Sequence, residues 1–162
     1  MVRKLKCYIS QAITLLIQHE KKSVVKKYKK IYDFIEQFLE KEHGVEVFNP
    51  IKHESGIRPS DIYWRDIRAL SRANFVVAEV SVVSWGVGVE LMYAIMKGKP
   101  ILALYNANSK YKLSEMVSGS GMRLRKYNDK NGKTMLSKHI SEFIKEYKQY
   151  AKLKRGLTSY QL

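Results

Sequence analysis

The chain has 162 residues, which is a usual size for one domain. Hydrophobic residues make up 45% of it and aromatic residues 11%, with three Pro and nine Gly, so a disordered, collagen-like or low-complexity chain is excluded. Thirty Lys and Arg against fifteen Asp and Glu give a net charge of +15, which makes nucleic acid, an anionic membrane surface or a phosphorylated small molecule candidate partners.

Short runs rich in apolar and β-branched residues alternate with longer amphipathic stretches along the chain. In chain order we predict strand Leu5–Ser10, helix Lys21–Lys41, strand Val45–Asn49, helix Ser60–Ser71, strand Phe75–Val80, helix Val87–Lys97, strand Ile101–Tyr105, helix Leu113–Val117, strand Met122–Tyr127 and helix Thr134–Lys152. This alternation predicts parallel βαβ units with right-handed crossovers. We expect one domain over residues 1–152 and a basic C-terminal tail over residues 153–162 that frays.

The third predicted strand, Phe75–Val80, is almost entirely apolar. Such a strand is typical of the centre of a parallel sheet that helices cover on both faces. In open sheets of this kind, ligands bind beyond the carboxyl ends of the strands, at the point where the strand order reverses. We therefore expect the functional residues at the ends of the strands and in the segments that follow them.

A turn with two glycines, Ser84-Trp85-Gly86-Val87-Gly88, links this central strand to the next predicted helix. Glycines beside a helix N-terminus allow close backbone approach, and the free N–H groups and helix dipole there attract a phosphate. Ser84 would add a hydroxyl donor. Glycines at strand–helix junctions also occur in tight turns that bind nothing, so the pattern supports both a phosphate site and a plain turn.

Two carboxylates lie near this turn in the predicted fold. Glu90 is expected in the first turn of its helix, where it either faces the cleft or only complements the helix dipole. Asp66 borders the apolar stripe that Ile62 and Leu70 mark on its helix. It either faces the cleft or is an exposed partner of an Arg on the same helix. The residues alone leave both alternatives open for each carboxylate.

Five sequence motifs occur in a fixed order: Tyr8-Ile9-Ser10, Asp66-Ile67, Ala73-Asn74-Phe75-Val76-Val77-Ala78-Glu79-Val80-Ser81, Ser84-Trp85-Gly86-Val87-Gly88-Val89-Glu90-Leu91 and Gly98-Lys99-Pro100-Ile101-Leu102. In order, spacing and residue type they resemble the nucleoside 2-deoxyribosyltransferase-like superfamily, and within it the 2'-deoxynucleoside 5'-phosphate N-hydrolases. The resemblance covers Leu5 to about Gly121. With the five predicted strands it implies a flavodoxin-like, Rossmann-like three-layer α/β sandwich around a five-stranded parallel sheet.

The resemblance implies a retaining N-glycosidic reaction on a nucleoside 5'-monophosphate. Glu90 matches the glutamate that attacks C1' of the deoxyribose and forms a covalent glycosyl-enzyme intermediate. Asp66 matches the acidic residue that donates a proton to the leaving base, and Tyr8 matches a tyrosine that orients the nucleophile. Breaking the C–N bond builds positive charge at C1', so a carboxylate beside it suits this chemistry, and no metal or other cofactor is required.

The resemblance also implies how the substrate is held. Ser84, Gly86 and Gly88 match the loop that binds the 5'-phosphate. Ser114 matches a serine that reaches the phosphate of the neighbouring subunit in a homodimer. The family's phosphate hydrolases have a Gly-Ser pair after the first strand, and this chain has Gln11-Ala12 there, so that part of the phosphate contact differs.

Two alternatives to hydrolysis are open. If another base instead of water opens the intermediate, the protein is a nucleoside 2-deoxyribosyltransferase. The family's transferases close a neighbour's site with a C-terminal carboxylate after an aromatic residue, whereas this chain ends Ser159-Tyr160-Gln161-Leu162, which favours hydrolysis. The second alternative, from another class, is a nucleotide- or nucleic-acid-binding module without turnover.

The position of the positive charge bears on that second alternative. The stretch from Asp61 to Ala107, which carries most of the predicted site, has five basic and four acidic residues. The excess positive charge therefore lies elsewhere, and we interpret it as a solvated surface, so a nucleic-acid partner is not favoured.

The cysteine content and hydropathy indicate the compartment. Cys7 is the only cysteine, so the chain has no internal disulfide, and no Cys/His pair has the spacing of a structural zinc site. No apolar run approaches the ~18 residues needed to span a bilayer. We expect a cytoplasmic protein with no membrane partner, metal or cofactor.

Overall fold

The structure is a computed structural model that describes residues 4–53 and 58–158, with the backbone alone at 15 and 154–158. Its strands are β1 Lys6–Gln11, β2 Glu46–Phe48, β3 Phe75–Glu79, β4 Ile101–Asn106 and β5 Arg123–Tyr127. Its α-helices are α1 Thr14–His19, α2 Lys22–His43, α3 Pro59–Arg72, α4 Trp85–Met96, α5 Glu115–Ser118 and α6 Gly132–Thr158. A short 3-10 helix, Pro50–His53, follows β2.

The five strands form one parallel sheet in the order β2-β1-β3-β4-β5. The middle strand is β3, and all of its residues are buried, as its apolar sequence predicts. The strand order reverses between β1 and β3, where Tyr8 pairs with Val76 and Gln11 with Glu79. This is the flavodoxin-like order, which confirms the predicted fold class and places the switch point beside the carboxyl end of β1.

Helices cover both faces of the sheet. On one face, α2 and α6 pack against alternate strand residues in a cluster that includes Ile35, Leu39, Leu136, Ile140, Cys7, Ile9, Phe75 and Val77. On the other face, α3 and α4 pack against the intervening strand residues in a cluster that includes Leu70, Leu91, Ala94, Tyr8, Val76 and Ala78. Because successive side chains of a strand point to opposite faces, each strand serves both layers, and a three-layer sandwich results.

Two short elements were not predicted, namely α1 and the 3-10 helix. The N-terminal residue of α1 has no side-chain cap, and its first turn has no acidic residue, so the usual start signals are missing. Its conformation depends on packing: Leu16 is fully buried in a cluster with Tyr28 and Tyr32 of α2. The local sequence does not indicate such a tertiary contact.

Several element boundaries differ from the prediction. Strand β2 is shorter than Val45–Asn49, because the N–H of Val45 donates to the carbonyl oxygen of Leu39 in α2 at 3.1 Å instead of joining the sheet. Helix α4 begins two residues before Val87. Helix α6 continues past Lys152 to Thr158, so the first part of the predicted tail is helical, and residues 159–162 lie outside the described residues.

Candidate active site

The carboxylate of Glu90 lies at the carboxyl end of β1, on the face of the sheet that α3 and α4 cover. Tyr8 and Ser10 are two residues apart on β1, so both side chains point to this face. The Tyr8 hydroxyl donates to Glu90 Oε1 at 2.8 Å, and Ser10 Oγ donates to Glu90 Oε2 at 2.5 Å. Each oxygen of the carboxylate therefore accepts a hydrogen bond from β1.

The position of Glu90 in α4 corrects the expectation of the first helical turn. Because α4 begins at Trp85, Glu90 lies in the second turn, about 7.5 Å along the helix axis from its start. The interaction of a charge with the helix dipole falls off within the first turn. Interaction with the helix dipole therefore does not explain the position of this carboxylate. Its two hydrogen bonds to β1 direct it towards the switch point.

Tyr8 is hydrogen-bonded to one of the two predicted carboxylates and is influenced electrostatically by both. Its side chain is fully buried and its ring stacks on Phe48 at 5.6 Å between centroids. Burial, followed by the charges of Glu90 and Asp66, raises the pKa of Tyr8 well above its ordinary value. The phenol therefore stays protonated and remains a hydrogen-bond donor to Glu90. Both carboxylates therefore act electrostatically on the same phenol.

Asp66 combines features of both alternatives that its sequence pattern left open. It is paired with an arginine of its own helix, because Arg65 Nε and Nη2 donate to the two Asp66 carboxylate oxygens at 2.7 Å and 3.1 Å. Yet it is buried, on the inner side of α3 with Leu70. Arg65 Nη1 also donates to the carbonyl oxygen of His53 at 2.6 Å, and its guanidinium lies 5.9 Å from the centre of the Phe48 ring.

The turn before α4 presents an open surface. Ser84 caps the helix, since its hydroxyl accepts the N–H of Val87 at 3.4 Å. Gly86 and Gly88 are exposed and are not among the glycines with positive φ, so the backbone conformation does not require glycine there. A Cβ at position 88 would meet nothing within 4 Å, and one at position 86 would meet only Ser84 Oγ. Their lack of side chains leaves the helix N-terminus accessible.

Ser114 is not brought to the other predicted residues. It lies exposed at the start of α5, after β4. Tyr8, which donates to Glu90, lies on β1, and Asp66 lies on α3, so Ser114 comes from a different part of the fold.

Sequence reasoning missed two residues of this site. Ser10 belongs to the Tyr8-Ile9-Ser10 motif, which gives it no role, although its alternation with Tyr8 puts both on one face of β1. Arg65 is the arginine that pairs with Asp66, and its side chain is largely buried, whereas the sequence pattern suggests an exposed pair. The alternation along β1 could have identified Ser10, but nothing local indicates the anchor of Arg65 on His53.

The described part of the chain contains neither a candidate metal cluster nor a candidate membrane span. No group of three or more His, Cys, Asp and Glu side chains there could hold a metal ion. None of the helices described is both long enough and apolar enough to cross a bilayer.

A doubly wound α/β sheet with a hydrogen-bonded carboxylate, Glu90, beside its switch point is typical of a protein that binds a ligand there. The family model for nucleoside 2-deoxyribosyltransferase matches residues 24–147. The chain therefore belongs to the nucleoside 2-deoxyribosyltransferase family, as its motifs indicate.

Curated relatives and a solved structure refine this assignment. The chain is 32% identical over 129 residues to a Methanosarcina mazei protein named "Putative 2'-deoxynucleoside 5'-phosphate N-hydrolase 1", covering 76% of this chain and 77% of that one. It is 35% identical over 99 residues to rat 5-hydroxymethyl-dUMP N-hydrolase, covering 59% and 61%. The chain spans 50–61% of the length of three of the curated relatives it matches. The structure of Clostridium botulinum CMP N-glycosidase shares the fold, with a TM-score of 0.58, 20% identity and coverage of 85% and 98%.

Proposed function

We propose that this protein is an N-glycosidase that hydrolyses 2'-deoxynucleoside 5'-monophosphates to the free base and deoxyribose 5-phosphate. The observation that carries the proposal is the carboxylate of Glu90, held at the switch point by one donor on each oxygen. The names of the relatives, which are N-hydrolases of deoxynucleotides, support the same reaction class.

The proposed reaction has two displacements at C1'. A carboxylate oxygen of Glu90 attacks C1' while the bond from C1' to the base nitrogen breaks. The bonding electron pair leaves with the base, which takes a proton from Asp66. Water then attacks C1' and gives one of its own protons to Asp66, which breaks the ester to Glu90 and releases the sugar phosphate. Tyr8 and Ser10 hold the carboxylate of Glu90 in position for both steps.

The 5'-phosphate is proposed to bind at the N-terminus of α4. The exposed Gly86 and Gly88 leave that surface open, and Ser84 can supply a hydroxyl. The helix dipole and free N–H groups there favour an anion. With the phosphate at the start of α4, Glu90 lies one turn further along the same helix. The 5'-phosphate and C1' of the substrate would then lie in that order along α4.

A panel of nucleosides and nucleotides tests the proposal. Each compound is incubated with the protein, and free base is resolved by chromatography. We expect base release from deoxynucleoside 5'-monophosphates and much less from the same nucleosides without the phosphate. Exchange of the base when a second free base is added would indicate a transferase. No base release from any compound, with salt-dependent binding of RNA or DNA, would support the binding module instead.

Ser10 is expected to act as a positioning residue for Glu90. Loss of a hydrogen bond to a charged group costs about 1.5–3 kcal/mol, so Ser10→Ala should lower kcat about 10- to 100-fold with little change in KM. Thermal unfolding separates this effect from a general loss of structure. Ser71→Ala is a matched control, because the Ser71 hydroxyl donates to the carbonyl of Arg68 on the surface of α3. An unchanged kcat in Ser10→Ala, or an equal fall in Ser71→Ala, would contradict this role.

We further propose that the protein is a homodimer built on the outer face of α4. Four apolar side chains at helical spacing are exposed there by 52–93%: Trp85, Val89, Met92 and Met96. A continuous apolar stripe of this kind marks an interaction surface, and a second copy could bring its Ser114 to the phosphate.

Met92→Asp tests the homodimer. A buried charge on the stripe should convert the dimer to a monomer, so the molar mass from light scattering should halve, and KM for the nucleotide should rise. Lys138→Asp, an exposed change on α6, should leave the mass unchanged. A wild-type protein that is monomeric at every concentration would contradict the proposal.

A further inference from the structure

Glu79 is a completely buried carboxylate on β3. It lies on the opposite face of the sheet from Glu90. It is the last residue of β3 and faces the layer of α2 and α6. Glu79 Oε1 accepts from the Tyr127 hydroxyl at 2.9 Å and from Ser81 Oγ. Glu79 Oε2 has no hydrogen-bond partner among the described residues. A buried oxygen without a partner is costly, so its protonation state needs an explanation.

Gln11 also has a buried side-chain oxygen without a hydrogen-bond donor in the described structure. A series of hydrogen bonds that begins at Glu36 explains why. Glu36 is paired with Lys52 Nζ at 2.6 Å and can only accept, so it takes Asn49 Nδ2 at 2.7 Å. Asn49 must then turn Oδ1 to Gln11, which donates Nε2 to it at 2.6 Å. This orientation of the Gln11 amide is dictated by its partners, and it leaves Gln11 Oε1 buried with no donor.

The two orphan oxygens belong to paired residues. Gln11 and Glu79 are Cα partners on β1 and β3, so their side chains lie on the same face of strands about 4.8 Å apart. Each of these two buried acceptors lacks a donor, and one proton shared between them would satisfy both. We propose that Glu79 is a neutral carboxylic acid whose Oε2–H donates to Gln11 Oε1, forming a pH-sensitive link between β1 and β3.

The charged and titratable groups around Glu79 are consistent with a neutral acid. From α2, Lys27 is the nearest cation, but its ammonium already pairs with Asp129 at 2.7 Å. The neighbouring phenols of Tyr28 and Tyr32 on α2 and Tyr127 on β5 are neutral, because burial raises the pKa of each. Asp129 adds a negative charge near Tyr28 and is held by Asn106. Glu79 therefore has no unpaired cation beside it in the described structure.

The link is expected to open near neutral pH. Burial raises the pKa of Glu79 to about 7, against an ordinary value of 4.5. Since the folded protein holds the proton more tightly than the unfolded chain, the stability from this group is full below about 4.5 and is lost as the pH rises through about 7. Because β1 carries Tyr8 and Ser10, and β3 leads into the turn before α4, ionisation would loosen the two strands that support the active site.

The stability of Glu79→Gln as a function of pH tests the link. A glutamine has the shape of the neutral acid, and its Nε2 would donate to Gln11 Oε1. We expect the wild type to lose stability between pH 4.5 and 7.5, in urea unfolding, and Glu79→Gln to lose less and to be the more stable protein at the upper end. Glu46→Gln, which removes an exposed carboxylate paired with Lys6, should keep the wild-type pH dependence.

Carbon-13 NMR of the side-chain carboxyls gives a second measurement on the wild-type protein, in case Glu79→Gln does not fold. The resonance of Glu79 should titrate near pH 7. In Gln11→Ala the midpoint should fall, because the neutral acid loses its acceptor. A wild-type midpoint near that of an ordinary carboxylate, or an unchanged midpoint in Gln11→Ala, would overturn the proposal. Neither measurement uses enzymatic activity, so the result is independent of the proposed function.

Discussion

Replacement of Glu90 by Gln is expected to lower kcat/KM for base release by at least about 1,000-fold. The amide is a poor nucleophile, and it cannot stabilise the positive charge that develops at C1' in the transition state. The change is small in shape: one amide oxygen can still accept from Tyr8, and the NH2 group can donate to Ser10 Oγ. Fold stability and affinity for the nucleotide should therefore change far less than turnover.

A matched variant separates this effect from a general loss of negative charge. Glu115 on α5 is exposed and pairs only with the exposed Lys112 within the described residues, so Glu115→Gln should keep wild-type rates. Mass spectrometry of quenched wild-type enzyme should find a glycosyl adduct on Glu90. Turnover in Glu90→Gln above one tenth of the wild-type rate would contradict the role of Glu90 as nucleophile.

The fold could be predicted from the sequence because its signals are periodic and redundant. The apolar run at Phe75–Val80 predicts a central strand, and the helix spacing of apolar residues in α2 predicts one buried face. The alternation of strands and helices predicts a parallel sheet. Elements without such periodicity, α1 and the 3-10 helix, could not be predicted, because packing of Leu16 and not local preference holds α1 in place.

For the candidate site, the sequence predicts which edge of the sheet each residue lies at, but not which side chains are hydrogen-bonded to each other. Glu90 and Tyr8 could be assigned to the same edge of the sheet, because the carboxyl ends of parallel strands meet there. The bond of Ser10 to Glu90 joins residues 80 positions apart and depends on the rotamers and register of two elements. Glu79 shows the same limit more strongly, since a glutamate in an apolar strand looks like an exception until its neighbours are known.

The contacts of Asp66 put a condition on its proposed role. Arg65 pairs with the ionised carboxylate, whereas protonation of a leaving base requires a proton on Asp66. The acid step therefore requires Asp66 to leave Arg65 and take up a proton from solvent before the base departs. Arg65 keeps a second anchor on the carbonyl oxygen of His53, so it can leave Asp66 without losing its place in the protein.

Asp66→Asn is expected to lower kcat/KM about 100- to 10,000-fold, the usual range for loss of a general acid. The loss should depend on the base: it should be large for bases that leave poorly without a proton and small for bases that leave readily. Rates are measured over a series of deoxynucleotides that differ only in the base, with thermal unfolding as a check on the fold. Asp61→Asn is the matched control, because Asp61 lies on the same helix in an exposed pair with Arg58. An equal loss for every base would assign Asp66 to substrate binding instead of proton transfer, since only proton donation links the effect to the leaving group.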